Sequence, residues 1–136
     1  MRIAALVLLA LWVGSLLVPA VGGCAVGKPV SWTPGWEIGL VGFMGPLQLQ
    51  FAWYANPAFI VLTIFLFLLG RANLLMIILA VLTLALGATA FTWQDILTDS
   101  PTTRLCWYGP GFWMWLLALF GLAAATIADR FPRKAR

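Results

Sequence analysis

Four long apolar runs, separated by short polar stretches, dominate the chain. The first extends from Ile3 to Val21 behind Arg2, the second from Phe51 to Gly70, the third from Leu74 to Phe91 and the fourth from Pro110 to Ile127. A membrane-crossing helix needs about 20 predominantly apolar residues to bridge a hydrocarbon layer about 30 Å thick. The pattern therefore predicts an all-α polytopic membrane protein, a four-transmembrane-helix bundle in a single domain over residues 1–136, with spans at 3–21, 51–70, 74–91 and 110–127. The first run is longer than the apolar region of a signal peptide, about 7–15 residues, which favours a retained helix.

Between the first two spans the pattern breaks. Gly22 to Glu37 reads as an irregular loop, punctuated by Pro29 and Pro34. Residues 38–50 are apolar but interrupted by Gly39, Gly42, Gly45, Pro46, Gln48 and Gln50, which predicts an interfacial or re-entrant segment. Its three glycines, at a spacing of three, suit the face of a short helix packed closely on a neighbour. Asn56-Pro57 reads as a helix start, since Asn caps and Pro is tolerated at the first helical position. Beyond it Phe59, Ile60, Leu62, Phe65, Phe67 and Leu69 are bulky around most of the helix, which suits exposure to lipid or to a partner's helix. Gly70 to Asn73 is a tight turn.

Composition strengthens the membrane reading. Of the 136 residues, 63% are hydrophobic and only 9% charged, with a mean hydropathy of +1.01. A soluble domain usually carries about a quarter charged residues, so these could not cover a water-exposed globule. The net charge of +4 does not point to nucleic acid, because the Lys and Arg residues sit at the ends of apolar runs. In the four-span arrangement Arg2, Arg71, Arg130, Arg133, Lys134 and Arg136 share one side, and only Lys28 and Arg104 lie on the other. Cytoplasmic loops carry the excess of Lys and Arg. The asymmetry predicts a multi-pass protein of the bacterial inner (cytoplasmic) membrane with both termini cytoplasmic.

The aromatics fall on the opposite side. Trp32, Trp36, Trp53, Trp93, Trp107, Trp113 and Trp115 map to the outer half, as do Tyr54 and Tyr108, and only Trp12 lies mid-span. Such residues anchor proteins at the membrane–water boundary. Their one-sidedness also predicts outer loops folded into an aromatic cap. Cys24 and Cys106 lie in different outer loops, and an oxidising compartment allows a disulfide between them. Two alternatives stay open: a pair of unbonded thiols, and lipidation of Cys24, since Val21-Gly22-Gly23-Cys24 loosely resembles a lipoprotein cleavage box.

Catalytic chemistry has little to draw on. There is no His, which removes the commonest metal ligand and general base. No phosphate-binding glycine loop, metal spacing or C-x-x-C occurs, so neither a cofactor nor a metal is expected. Every ionisable residue lies outside the apolar cores, which argues against a pump or coupled transporter. Asp95 and Asp99 read as solvated loop or capping residues rather than an acid–base pair. The patterns Ala10-x-x-x-Gly14, Thr83-x-x-x-Gly87 and Gly121-x-x-x-Ala125 allow close helix approach. They are expected to pack the bundle internally, with a homo-oligomer as the alternative.

At Gly35-Trp36-Glu37, followed by Gly42, Gly45 and Phe51-Ala52-Trp53-Tyr54-Ala55-Asn56-Pro57, the chain resembles a group of small uncharacterised bacterial inner-membrane proteins. In that group a Gly-Trp-Glu loop and an aromatic-Ala-Asn-Pro segment lead into the second span. The resemblance covers the first half of the chain, implies a bacterial origin and carries no activity. The expected function is that of a non-enzymatic accessory or interaction protein of the membrane, with an immunity-type role as a special case. Its partners are then the lipid bilayer and another membrane or periplasmic protein, and the candidate surface is Trp32, Trp36, Glu37, Trp53, Tyr54 and Asn56. The alternative is a small-solute or lipid-handling protein with a pocket near residues 45–57 built on Gln48, Gln50 and Asn56.

Overall fold

The computed structural model describes residues 1–24, 30–94 and 104–130, with Gln48 as backbone only. Lys28, Asp95, Asp99, Arg133, Lys134 and Arg136 lie outside the described residues. Within the described residues the chain is mostly helical, with five α-helices and one small sheet. Three helical stretches are long and apolar enough to cross a membrane: Ala52–Leu69, Leu74–Thr92 and Pro110–Arg130.

The first run behaves differently from its expected span of 3–21. Helix α1 (Arg2–Leu17) has 16 residues, about 24 Å at 1.5 Å per residue. It stops at Leu17 because Pro19 has no N–H to donate and its ring collides with the carbonyl four residues back. Val18 is extended, at φ −116° and ψ 161°, and the chain enters a strand.

That strand corrects the all-α expectation. β1 (Pro19–Cys24), β2 (Ser31–Pro34) and β3 (Arg104–Tyr108) form an antiparallel sheet in the order β2-β1-β3. The alternation of side chains sorts the sheet into two faces. Val21 and its partners Thr33 and Tyr108 lie towards the helices, where Val21 and Thr33 are buried. Gly22 and its partners Trp32 and Trp107 lie on the other face, and both indoles are exposed. The Cys24 and Cys106 sulfurs are at disulfide distance, with Cα atoms 5.9 Å apart, so the strand that follows α1 is tied covalently to the approach to α5 (Pro110–Arg130).

Helix α2 (Gly35–Val41) leads into a 3-10 stretch, Gly42–Gln48. Leu49 then adopts a left-handed conformation at φ 58°, and the Gln50 N–H donates to the Gly45 carbonyl at 2.9 Å. A 3-10 turn (Ala52–Tyr54) opens directly into α3 (Ala55–Leu69), so Asn56 is the second residue of the helix and not its cap. Gly70, at φ 71°, closes α3 in the left-handed region that glycine occupies without steric cost. Helix α4 (Leu74–Ala88) starts on a side-chain cap, with the Met76 N–H donating to Asn73 Oδ1 at 3.0 Å. It runs on through a 3-10 turn, Thr89–Thr92. Helix α5 (Pro110–Arg130) begins with proline, whose missing N–H costs nothing there.

Helix α5 is central: α1 and α4 pack along it, and α3 packs on α4. Met114 lies against Gly14, and Leu8 against Gly121, so these glycines of the small-residue patterns serve contacts inside the chain. The core is built from Phe59, Leu62, Leu66, Met76, Leu119 and Leu122. Of the residues expected to face lipid or a partner, Phe59 and Leu62 are fully buried, whereas Ile60 and Leu69 are exposed, sharing the outward face with Ile64 and Leu68. Thr63, Thr83 and Thr126 are buried, and each hydroxyl donates to the carbonyl four residues back at 2.8 Å. An apolar exterior over buried hydroxyls that are satisfied by the helix backbone is what a hydrocarbon surrounding demands.

Candidate functional site

The polar centre of the helical core is one side chain. Asn56 Oδ1 accepts from the Trp12 indole N–H at 2.9 Å and from the Trp115 indole N–H at 2.7 Å. Its amide nitrogen donates to the Trp53 carbonyl at 3.0 Å. An amide oxygen has two lone pairs, and both are used. Asn56 therefore pins α1, α3 and α5 together at one level. The Trp12 ring also stacks on Phe59, with centroids 6.0 Å apart.

Trp53 extends this network outward. Its indole N–H donates to the Gly39 carbonyl at 2.8 Å, and its ring lies on Gly42, where any Cβ would collide with it. Tyr54 completes the junction, donating its hydroxyl to the Phe43 carbonyl at 3.2 Å and meeting the Trp53 ring edge-on at 5.3 Å. The interrupted segment is thus strapped to the start of α3 by two aromatic side chains. Its outer face carries Leu40, Phe43, Leu47 and Leu49, all exposed.

A cavity of about 50 Å³ adjoins the network, with Ser15, Gly35, Trp53, Asn56, Trp93 and Trp115 in its wall. Trp93 Nε1 is buried there and has no hydrogen-bond partner. A water needs about 10–15 Å³ of such volume, so the space suits a few waters. Pockets for drug-sized molecules are about 300–1,000 Å³.

The chain matches no protein-family model, no curated protein and no solved structure. Its chemistry has to be read from its own geometry.

Of the sequence-derived surface residues, Trp53 and Asn56 are interior elements of this network, and Tyr54 sits at its edge. Trp32 lies on the outer sheet face, and Trp36 and Glu37 in the first turn of α2, with Trp36 exposed and Glu37 half-buried. Of the pocket trio, Asn56 lines the cavity, Gln50 follows Leu49 outside its wall, and the Gln48 side chain is outside the described residues. Three tryptophans escaped the sequence reading as site residues: Trp12, Trp93 and Trp115. The mid-span position of Trp12 was the available signal, because an indole N–H at that depth needs an acceptor.

A second aromatic group lies beneath the sheet. Tyr108 packs on Phe112 with centroids 4.2 Å apart, and Phe91 meets Phe112 edge-on at 5.8 Å. Burial pushes the Tyr108 phenol up from its ordinary value.

Proposed function

We propose that the protein is a non-enzymatic, four-span accessory protein of the bacterial cytoplasmic membrane that offers its outer cap to another membrane or periplasmic protein. In this reading α1 is the fourth span, and both termini are cytoplasmic. The observation that carries it is the outer face of the sheet. Trp32 and Trp107 flank Gly22 there, 52% and 60% exposed, on the face away from the helices. Tryptophans that only anchor a helix belong beside the bilayer at its end. Two held in register on a disulfide-tied sheet form a rigid aromatic patch, and tryptophan is enriched among residues that dominate binding energy. The interior supports the same reading, since Asn56 is used in holding helices together and the cavity suits water. A small-solute or lipid-handling role near residues 45–57 needs more room than that.

The test is native co-purification in mild detergent from wild type and from a Trp32→Ala/Trp107→Ala double variant. The reading expects a stoichiometric partner with wild type, lost from the variant while membrane insertion is kept. Equal recovery of the partner by both would defeat it.

A further inference from the structure

At the opposite end of the molecule from the sheet, the start of α1 meets the turn between α3 and α4. Met1, Arg2, Ile3, Leu69, Gly70 and Arg71 line an open groove there. The Arg2 guanidinium lies over Gly70, where a Cβ would come within 3.6 Å of its Nη2. Arg71 is the next residue, and both arginines are exposed. Among the described residues neither side chain has an ion pair or hydrogen bond. The described acid at this end, Asp129, is already engaged: its Oδ2 accepts from the Ala72 N–H at 3.2 Å. Arg130 adds positive charge at the same end of the bundle.

We propose that this groove binds the phosphate headgroup of an anionic phospholipid, with Arg2 and Arg71 as the two ligating side chains. A guanidinium presents a planar fork of donors that matches phosphate oxygens, and two unpaired forks on one groove leave positive charge that an anionic phosphate would neutralise. The walls favour a lipid over free phosphate. Ile3 and Leu69 flank the arginines at 79% and 51% exposure. From them exposed apolar surface continues along the helices through Leu6, Val7 and Leu68, a path for an acyl chain. Basic pockets between helices on the cytoplasmic side of a membrane bind such headgroups. This inference rests on the helices crossing a bilayer and not on the partner proposed for the sheet.

The experiment is native mass spectrometry of the purified full chain in mild detergent, titrated with phosphatidylglycerol, phosphatidylcholine or inorganic phosphate. Phosphatidylglycerol should be retained on the order of tenfold or more above phosphatidylcholine, the gain expected of two charge-assisted contacts. An Arg2→Gln/Arg71→Gln variant should lose that preference, an Arg2→Lys/Arg71→Lys variant should keep part of it, and Arg104→Gln, at the other end, should keep all of it. If the glutamine variant does not fold, the lysine variant and the salt dependence of wild-type binding carry the test. Equal retention of the two lipids, unchanged preference in the arginine variants, or an equal loss in Arg104→Gln overturns the site. Displacement of the lipid by equimolar inorganic phosphate overturns the lipid as its occupant.

Discussion

At Asn56 one oxygen serves two indoles, so truncating it strands two N–H donors in the core. Each unpaired buried donor costs about 1–3 kcal/mol. Asn56→Ala should therefore lower the thermal midpoint in detergent markedly. Trp93→Phe removes a buried N–H that has no partner and should leave the midpoint unchanged or raise it. A neutral Asn56→Ala, or a Trp93→Phe as damaging, would contradict the described network. Sequence singles out Asn56 beside Pro57, because a polar residue at the edge of an apolar run is conspicuous. It does not reveal the partners, which lie 44 and 59 residues away, since no local pattern encodes contacts between helices.

Among the elements, the long helices were the most legible. The long continuous apolar runs behind α3, α4 and α5 leave little else for the backbone to do in hydrocarbon. The sheet was not legible. β1 is Pro-Ala-Val-Gly-Gly-Cys, rich in residues depleted from strands, and one of its two partners, β3, comes from far along the chain. Pro19 explains the boundary error at α1, where hydropathy continued past the residue that ended the helix. The glycines of residues 38–50 were read as a packing face, and at Gly42 the ring of Trp53 occupies the space a side chain would need. Gly42→Ala should displace Trp53, break its bond to the Gly39 carbonyl and raise protease sensitivity around residues 42–50. Gly39→Ala, whose Cβ would meet only Leu16 at 3.9 Å, should leave the digestion pattern unchanged. Equal sensitivity in both variants would show that Trp53 does not hold the segment.

For the whole molecule, the two ends differ in kind. One end is a sheet tied by Cys24 and Cys106, a link across 82 residues that stabilises by roughly 4–5 kcal/mol at most in the chain-entropy treatment. Membrane insertion lowers that figure by restricting the unfolded chain in advance. The opposite end is a short turn with unpaired arginines. Composition announced a membrane protein, but the number of crossings turns on α1, whose 16 residues fall short of the continuous helical stretches Ala52–Leu69, Leu74–Thr92 and Pro110–Arg130. Hydrophobic mismatch of this size is met by local thinning of the bilayer or by flanking residues at the interface, and Arg2 and the sheet flank α1 at its two ends. The most direct measurement is therefore the sidedness of both termini. Ile3→Cys and Ala135→Cys, each made in a Cys24→Ser/Cys106→Ser background, are labelled in cells with a membrane-impermeant maleimide. Four crossings predict that both are protected until the cytoplasmic membrane is permeabilised and labelled afterwards; labelling of Ile3→Cys from the periplasmic side of an intact membrane would contradict the account.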